Sequence, residues 1–222
     1  MKQGGNSNED IEITMPSNIP LAVLYNSTPP SNTIRITVRR RHATDPDGQA
    51  FVYWKGYLSN VKRAEGNAAV ALICNTLLSS FTRQGLRLGW TRGCPHILYD
   101  QECRVDPNAF VHDTTIVSMD GNSITIDNDG DHPDGWFTGG YIEWEANGPA
   151  TLDRRGIAGS FSSTQLILLG TTYRLAIGLS IRAYPGCDLT MESCRGKFNN
   201  RENYGGCKQM SGENPFDSKP II

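Results

Sequence analysis

The chain has 222 residues, 38% of them hydrophobic, which is enough to bury one large or two small cores. A formal charge of −2 and a pI near 6.1 argue against a duplex-binding face, which needs concentrated positive charge. The longest apolar stretch, Ala68 to Leu78, is broken by Asn75 and Thr76, so no membrane span is expected, and the N-terminus MKQGGNSNEDIEI lacks the basic and apolar segments of a secretory signal, so synthesis in the cytoplasm is expected.

Glycine and proline punctuate the chain, and runs of Ile, Val, Thr and aromatic residues lie between them, which reads as mainly β. Strands are expected at Ile11 to Thr14, Thr33 to Arg39, Gln49 to Lys62 and Ala69 to Asn75, with a short helix or turn from Leu21 to Asn26 between Pro20 and Pro29-Pro30. Arg39, Arg40 and Arg41 form the only basic run and follow the alternating segment TIRITV, so they read as a solvated strand end. Cys74, inside AVALICNTLL, reads as a small buried hydrophobe.

Composition shifts near Gly89 and again near Pro185. Between them residues 109–184 read as a compact β unit, with strands at Ala109 to Met119, Ser123 to Asp127, Gly140 to Glu145, Gln165 to Leu168 and Ser180 to Tyr184. Asp120-Gly121-Asn122, between VHDTTIVSM and SITID, is a hairpin signal, and Asp129-Gly130-Asp131 is a second turn. Asp127, Asp129 and Asp131 alternate as in a calcium loop, but His132 and Thr138 stand where such a loop needs glycine and glutamate, so a polar turn is the better reading. From Arg195 onward glycine and asparagine dominate, which predicts irregular structure.

Four cysteines form two pairs, Cys94 with Cys103 in GCPHILYDQEC and Cys187 with Cys194 in GCDLTMESC, and only folding brings the pairs together. Thiolates select zinc, copper(I) or iron-sulfur clusters. Structural zinc sites use pairs two to four residues apart, a tighter spacing than either pair has, and a larger cofactor tolerates the wider gaps more easily. If residues 188–197 are helical, Cys187 and Cys194 lie about 10 Å apart along the axis, beyond the roughly 7 Å reach of a disulfide. Cys94 and Cys103 fit a loop disulfide, which a cytoplasmic protein seldom keeps. Residue types alone leave metal, cluster and free or paired thiols open.

Cys207, in YGGCKQM, is left outside this set. His42, His96, His112 and His132 are scattered, and no H-E-x-x-H, nucleophile-elbow or P-loop pattern occurs, so no enzyme class gains support. His96 lies within the first cysteine segment, placed to cap the loop or to bond a sulfur.

The segments CPHILYDQECRVDPNAF, PDGWFTGGYIEWEANG and YPGCDLTMESCRGKFNNRENYGGCKQMSGENPF, in that order, resemble tail-tip hub proteins of long-tailed phages and gene transfer agents. This family includes the iron-sulfur hub and, more distantly, the tail-tip protein L of lambda-like phages, and the likeness runs from about Ile11 to Phe216. It implies a 4Fe-4S cluster held by Cys94, Cys103, Cys187 and Cys194, with zinc as the runner-up, in a homotrimer at the virion tail tip assembled in the host cytoplasm. The implied partners are the distal tail protein, the central fibre or tail-tip attachment protein and the tape measure protein, with no direct nucleic-acid binding. Relatives commonly have an aromatic residue and a proline where this chain has Cys207 and Lys208, and many carry a longer N-terminal β segment.

The expected organisation is an N-terminal β hub domain (1–88), a cysteine-containing connector (89–108), a second compact β-barrel-like domain (109–184) and an irregular cysteine-containing C-terminal segment (185–222) that packs back on the connector, with short helices. The expected role is structural and not enzymatic. The alternatives are a redox or metal-dependent enzyme and a disulfide-stabilised receptor-binding module of the tail tip.

Overall fold

A computed structural model describes residues 10–25, 28–63, 69–82, 89–127, 132–146 and 152–210. The chain divides into two compact units, Met1–Gly85 with Thr151–Asp153, and Leu86–Ala150 with Arg154–Ile222. The Asp129-Gly130-Asp131 turn and the N-P-F ending lie outside the described residues.

The first unit contains β1 (Ile11–Pro16), the short helix α1 (Pro20–Val23), β2 (Arg35–Arg40), β3 (Phe51–Arg63), β4 (Ala69–Thr76) and a 3-10 turn at Leu77–Thr82. The strands form one antiparallel sheet in the order β1-β4-β3-β2, curled into a half-barrel. Alternation decides what β4 buries: Val70, Leu72 and Cys74 point inward with Trp54, Leu58 and Ala22, while the residues between them are half-exposed. Cys74 is thus core, as its apolar surroundings predict, and burial pushes its thiol up to about 11. Arg39, Arg40 and Arg41 are exposed at the strand end.

The second unit contains a 3-10 turn at Pro107–Ala109, β5 (His112–Asp120), β6 (Ser123–Ile126), β7 (Tyr141–Glu145), β8 (Leu152–Phe161, its first two residues grouping with the other unit), β9 (Gln165–Leu168), β10 (Ser180–Tyr184), the helix α2 (Met191–Gly196) and a 3-10 turn at Arg201–Asn203. The strands close a barrel in the order β10-β5-β6-β9-β8-β7 around Ile116, Ile124, Phe137, Trp144, Ile157 and Leu168. The mainly β class and the second barrel agree with the sequence reading. The expected hairpin is present, with Asp120 opposite Ser123 and Gly121 at φ 59°.

Three local expectations differ. The ten-residue strand β8, LDRRGIAGSF, has no counterpart in the sequence reading because its buried positions include Asp153, Arg155 and Ser160 beside Ile157. Arg155 is accommodated there because its guanidinium donates to the carbonyls of Thr171 and Tyr173 and lies 5.2 Å over the Trp144 ring. Ala109 ends a 3-10 turn whose start is capped by Asp106, and the strand begins only at His112. Of residues 188–197, whose helicity is the condition for the spacing of Cys187 and Cys194, only Met191–Gly196 form a helix. Thr190 caps it by accepting the Ser193 N–H at 3.1 Å, and Cys187 precedes it in irregular chain, so the axial spacing of a single helix does not apply to Cys187 and Cys194.

Candidate functional site

Backbone bonds within the second unit gather three segments. The Cys94 N–H donates to the Leu189 carbonyl at 2.9 Å, the Cys207 N–H to the Thr91 carbonyl at 2.8 Å, and the Asn200 N–H to the Cys194 carbonyl at 2.8 Å. Tyr204 adds a phenolic bond to the Arg92 carbonyl at 2.8 Å, and Tyr99 another to the Pro185 carbonyl at 2.8 Å. Asp100 shapes the loop that delivers Cys103 by accepting the N–H groups of Cys103, Glu102 and Ile97. Those donors, Cys103 foremost, hold its carboxyl below the usual range.

The result is one cavity lined by Cys94, Cys103, Cys187 and Cys194, together with His96, Leu98, Val105, Leu189, Phe198 and Asn203. All four thiols singled out in the sequence meet there, and all six cysteines of the chain are free thiols. Among the described residues no three His, Cys, Asp or Glu side chains converge to hold one metal ion, so the thiols ring a space instead of a point. The cavity is about 20 Å³, room for about one water.

The sulfurs are already addressed by donors. The Leu189 N–H points at Cys187 Sγ at 3.4 Å, the Gly205 N–H at Cys94 Sγ at 3.4 Å, and Asn200 Nδ2 at Cys103 Sγ at 3.8 Å. Cys194 Sγ donates to the Asn200 carbonyl at 3.1 Å. Burial raises the Cys187 and Cys194 thiols above their ordinary range, with the neighbouring cysteines adding to it and the Leu189 N–H opposing it at Cys187. Buried thiols of this kind ionise when a bound cation compensates the charge, so binding releases protons. Four sulfurs around one cavity, three of them with N–H groups aimed at them, are a soft donor set of the kind that zinc or an iron-sulfur cluster takes. A four-iron cube spaces its ligating sulfurs more widely than one tetrahedral ion does.

Asn200 is a site residue that the sequence reading passed over. Its Nδ2 donates to the Cys103 carbonyl as well as toward Cys103 Sγ, its Oδ1 accepts from Asn203 at 2.6 Å, and its backbone carbonyl and N–H both engage Cys194. It therefore bridges one cysteine from each pair. Gly205 has a steric role, because a Cβ there would stand 2.5 Å from the His96 ring. His96 bonds the Asn203 carbonyl through Nδ1 at 3.1 Å and serves the loop, with Nε2 3.6 Å from Glu102. Cys207 does not line the cavity, and neither do His112 and His132, whose rings meet edge to face at 5.4 Å beside Trp136.

Residues 135–214 match the family described as phage conserved hypothetical protein BR0599. That stretch includes Cys187, Cys194 and Asn200, and leaves out Cys94 and Cys103. Among solved structures the fold is similar to a chain from the virion of a native gene transfer agent particle, with a TM-score of 0.64 and 22% identity over 84% of this chain. The similarity spans 65% of the length of that chain. No curated protein matches the sequence.

Proposed function

We propose that this chain is a structural protein of the virion of a long-tailed phage or gene transfer agent, that it forms the hub of the tail tip, and that Cys94, Cys103, Cys187 and Cys194 hold a 4Fe-4S cluster. The observation that carries this reading is the meeting of two cysteine pairs, distant in sequence, around one cavity. Its fold likeness to a gene transfer agent virion chain and its match to a phage family support the virion assignment.

The cluster's part is mechanical. It supplies four metal-thiolate bonds, and the free energy of forming them becomes folding free energy of the loops that carry the ligands. Those loops are held by hydrogen bonds more than by regular structure. Residues 93–105 and 186–207 contain one six-residue helix and one 3-10 turn, with little apolar burial beyond Cys103, Val105, Cys194 and Phe198. A cross-link between them would lower the entropy of the unfolded chain and so favour the folded loops.

Assembly into a homotrimeric ring, with the distal tail protein, the central fibre protein and the tape measure protein as neighbours, belongs to the same proposal. In the first unit β1 and β2 are the edges of an open sheet and have no further ladder partner among the described residues. Such edges are the surfaces that strand addition by another chain uses. Gold-labelled antibody against this chain on negatively stained particles tests the location. Label at the distal end of the tail is expected, and label confined to capsids or absent from particles would overturn the assignment.

A further inference from the structure

Lys197 is a half-buried cation with no carboxylate at ion-pairing distance among the described residues. Its ammonium donates to the Gly186 carbonyl at 2.7 Å and to the Trp136 carbonyl, and it stands 4.5 Å over the Trp136 ring and 5.4 Å from the Phe198 ring. Two of these contacts touch the cysteine centre. Gly186 directly precedes Cys187, and Phe198 lines the thiol cavity. Lys197 is also the C-terminal cap of the helix that carries Cys194.

Burial makes this charge costly, holding the ammonium down to about 8, and the electrostatic influence of Asp188 and of the Cys187 sulfur works against that shift. Backbone carbonyls and aromatic faces recover part of the desolvation. A carboxylate in direct contact is the usual remainder, and among the described residues none is at ion-pairing distance, with Asp188 acting only from farther away.

We infer that the Lys197 ammonium is the built-in counter-charge of the four-thiolate centre. The inference rests on the cluster reading above. Four thiolates around an iron-sulfide cube leave it net negative, and a fixed cation behind Cys187 and Cys194 favours its retention and its more reduced state. Lys197 is a positioning residue in this account, since it touches the ligand loops and not the metal.

The test compares wild type with Lys197→Gln and Lys197→Arg, purified anaerobically, for iron and sulfide per chain and for midpoint potential in a titration followed by electron paramagnetic resonance. Gln keeps N–H donors for the Gly186 and Trp136 carbonyls while removing the charge, and Arg keeps the charge. The expected result is a lower potential in Lys197→Gln and a potential near wild type in Lys197→Arg. Loss of iron in Lys197→Gln alone, with Lys197→Arg fully loaded, also supports the requirement for charge. Wild-type iron and wild-type potential in Lys197→Gln would overturn it, as would iron loss in both variants, which points to packing alone. Wild type without iron and sulfide would instead sink the cluster reading itself.

Discussion

Gly140 and Gly186 lie against each other backbone to backbone, so closely that neither position has room for a side chain. A Cβ on Gly140 would overlap the Tyr184 carbonyl and stand 2.8 Å from the Gly186 nitrogen, and one on Gly186 would overlap the Thr138 carbonyl and the Gly140 nitrogen. The turn that leads into β7 and the chain that leaves β10 are thereby locked together one residue before Cys187. The barrel, through this contact, sets the position of a cysteine that no strand carries.

Gly186→Ala therefore forces backbone apart and is expected to destabilise the protein by about 3 kcal/mol or more in urea unfolding, at the high end for a single substitution. Gly196→Ala, where an added Cβ meets nothing within 4 Å, is the control. It lies at the end of α2 and is expected to be neutral or slightly stabilising, by at most about 1 kcal/mol. Equal stabilities for the two variants would mean that the glycine contact does not fix the loop.

Serine at Cys94, Cys103, Cys187 or Cys194 is expected to lower iron content and thermal stability together, since metal binding and loop folding are one process. Cys207→Ser is expected to keep wild-type iron, because Cys207 lies outside the cavity lining. Iron assays on the five variants check both halves. Iron loss in Cys207→Ser would redraw the ligand set.

Asn200→Ala removes the donor to Cys103 and the anchor for Asn203 while leaving every sulfur in place. Residues that orient metal ligands typically contribute about 10- to 100-fold in metal affinity, so chelator competition is expected to strip iron from this variant more readily by a factor in that range. Asn200→Asp is expected to be worse, because it sets a carboxylate against the Cys103 carbonyl and sulfur. Chelator resistance unchanged in both variants would remove Asn200 from the site.

Cys74 predicts a pH dependence in the first unit. Its folded thiol is raised to about 11 by burial, so between about pH 9 and pH 11 the unfolded chain loses this proton while the folded chain keeps it. Stability falls as pH rises through that window, by about 1.4 kcal/mol per pH unit at most from this group. Denaturant unfolding at pH 8, 10 and 11 checks it against Cys74→Val, which is expected to show a shallower decline. Parallel pH profiles would contradict the assignment.

Much of the architecture was legible because alternation reports burial directly. Ile124 and Ile126, Leu166 and Leu168, and Val70, Leu72 and Cys74 are all inward-facing pairs or triplets visible in the sequence. β8 was not legible, because Arg155 is buried through contacts with Trp144, Thr171 and Tyr173 that no local pattern encodes. At the cavity the sulfurs were visible by residue type and the supporting groups were not. Asn200, Lys197 and Gly205 sit in an asparagine- and glycine-rich segment that reads as irregular chain, and their roles depend on which distant carbonyl, sulfur or ring the fold brings beside them.

The most direct test of the central claim is iron and acid-labile sulfide per chain, with a visible spectrum, on protein purified without oxygen. About four irons and four sulfides per chain, in a brown sample with broad visible absorption that bleaches on reduction, is the predicted result. A colourless protein with one zinc per chain, or one with Cys94 bonded to Cys103 in non-reducing mass spectrometry, would contradict it.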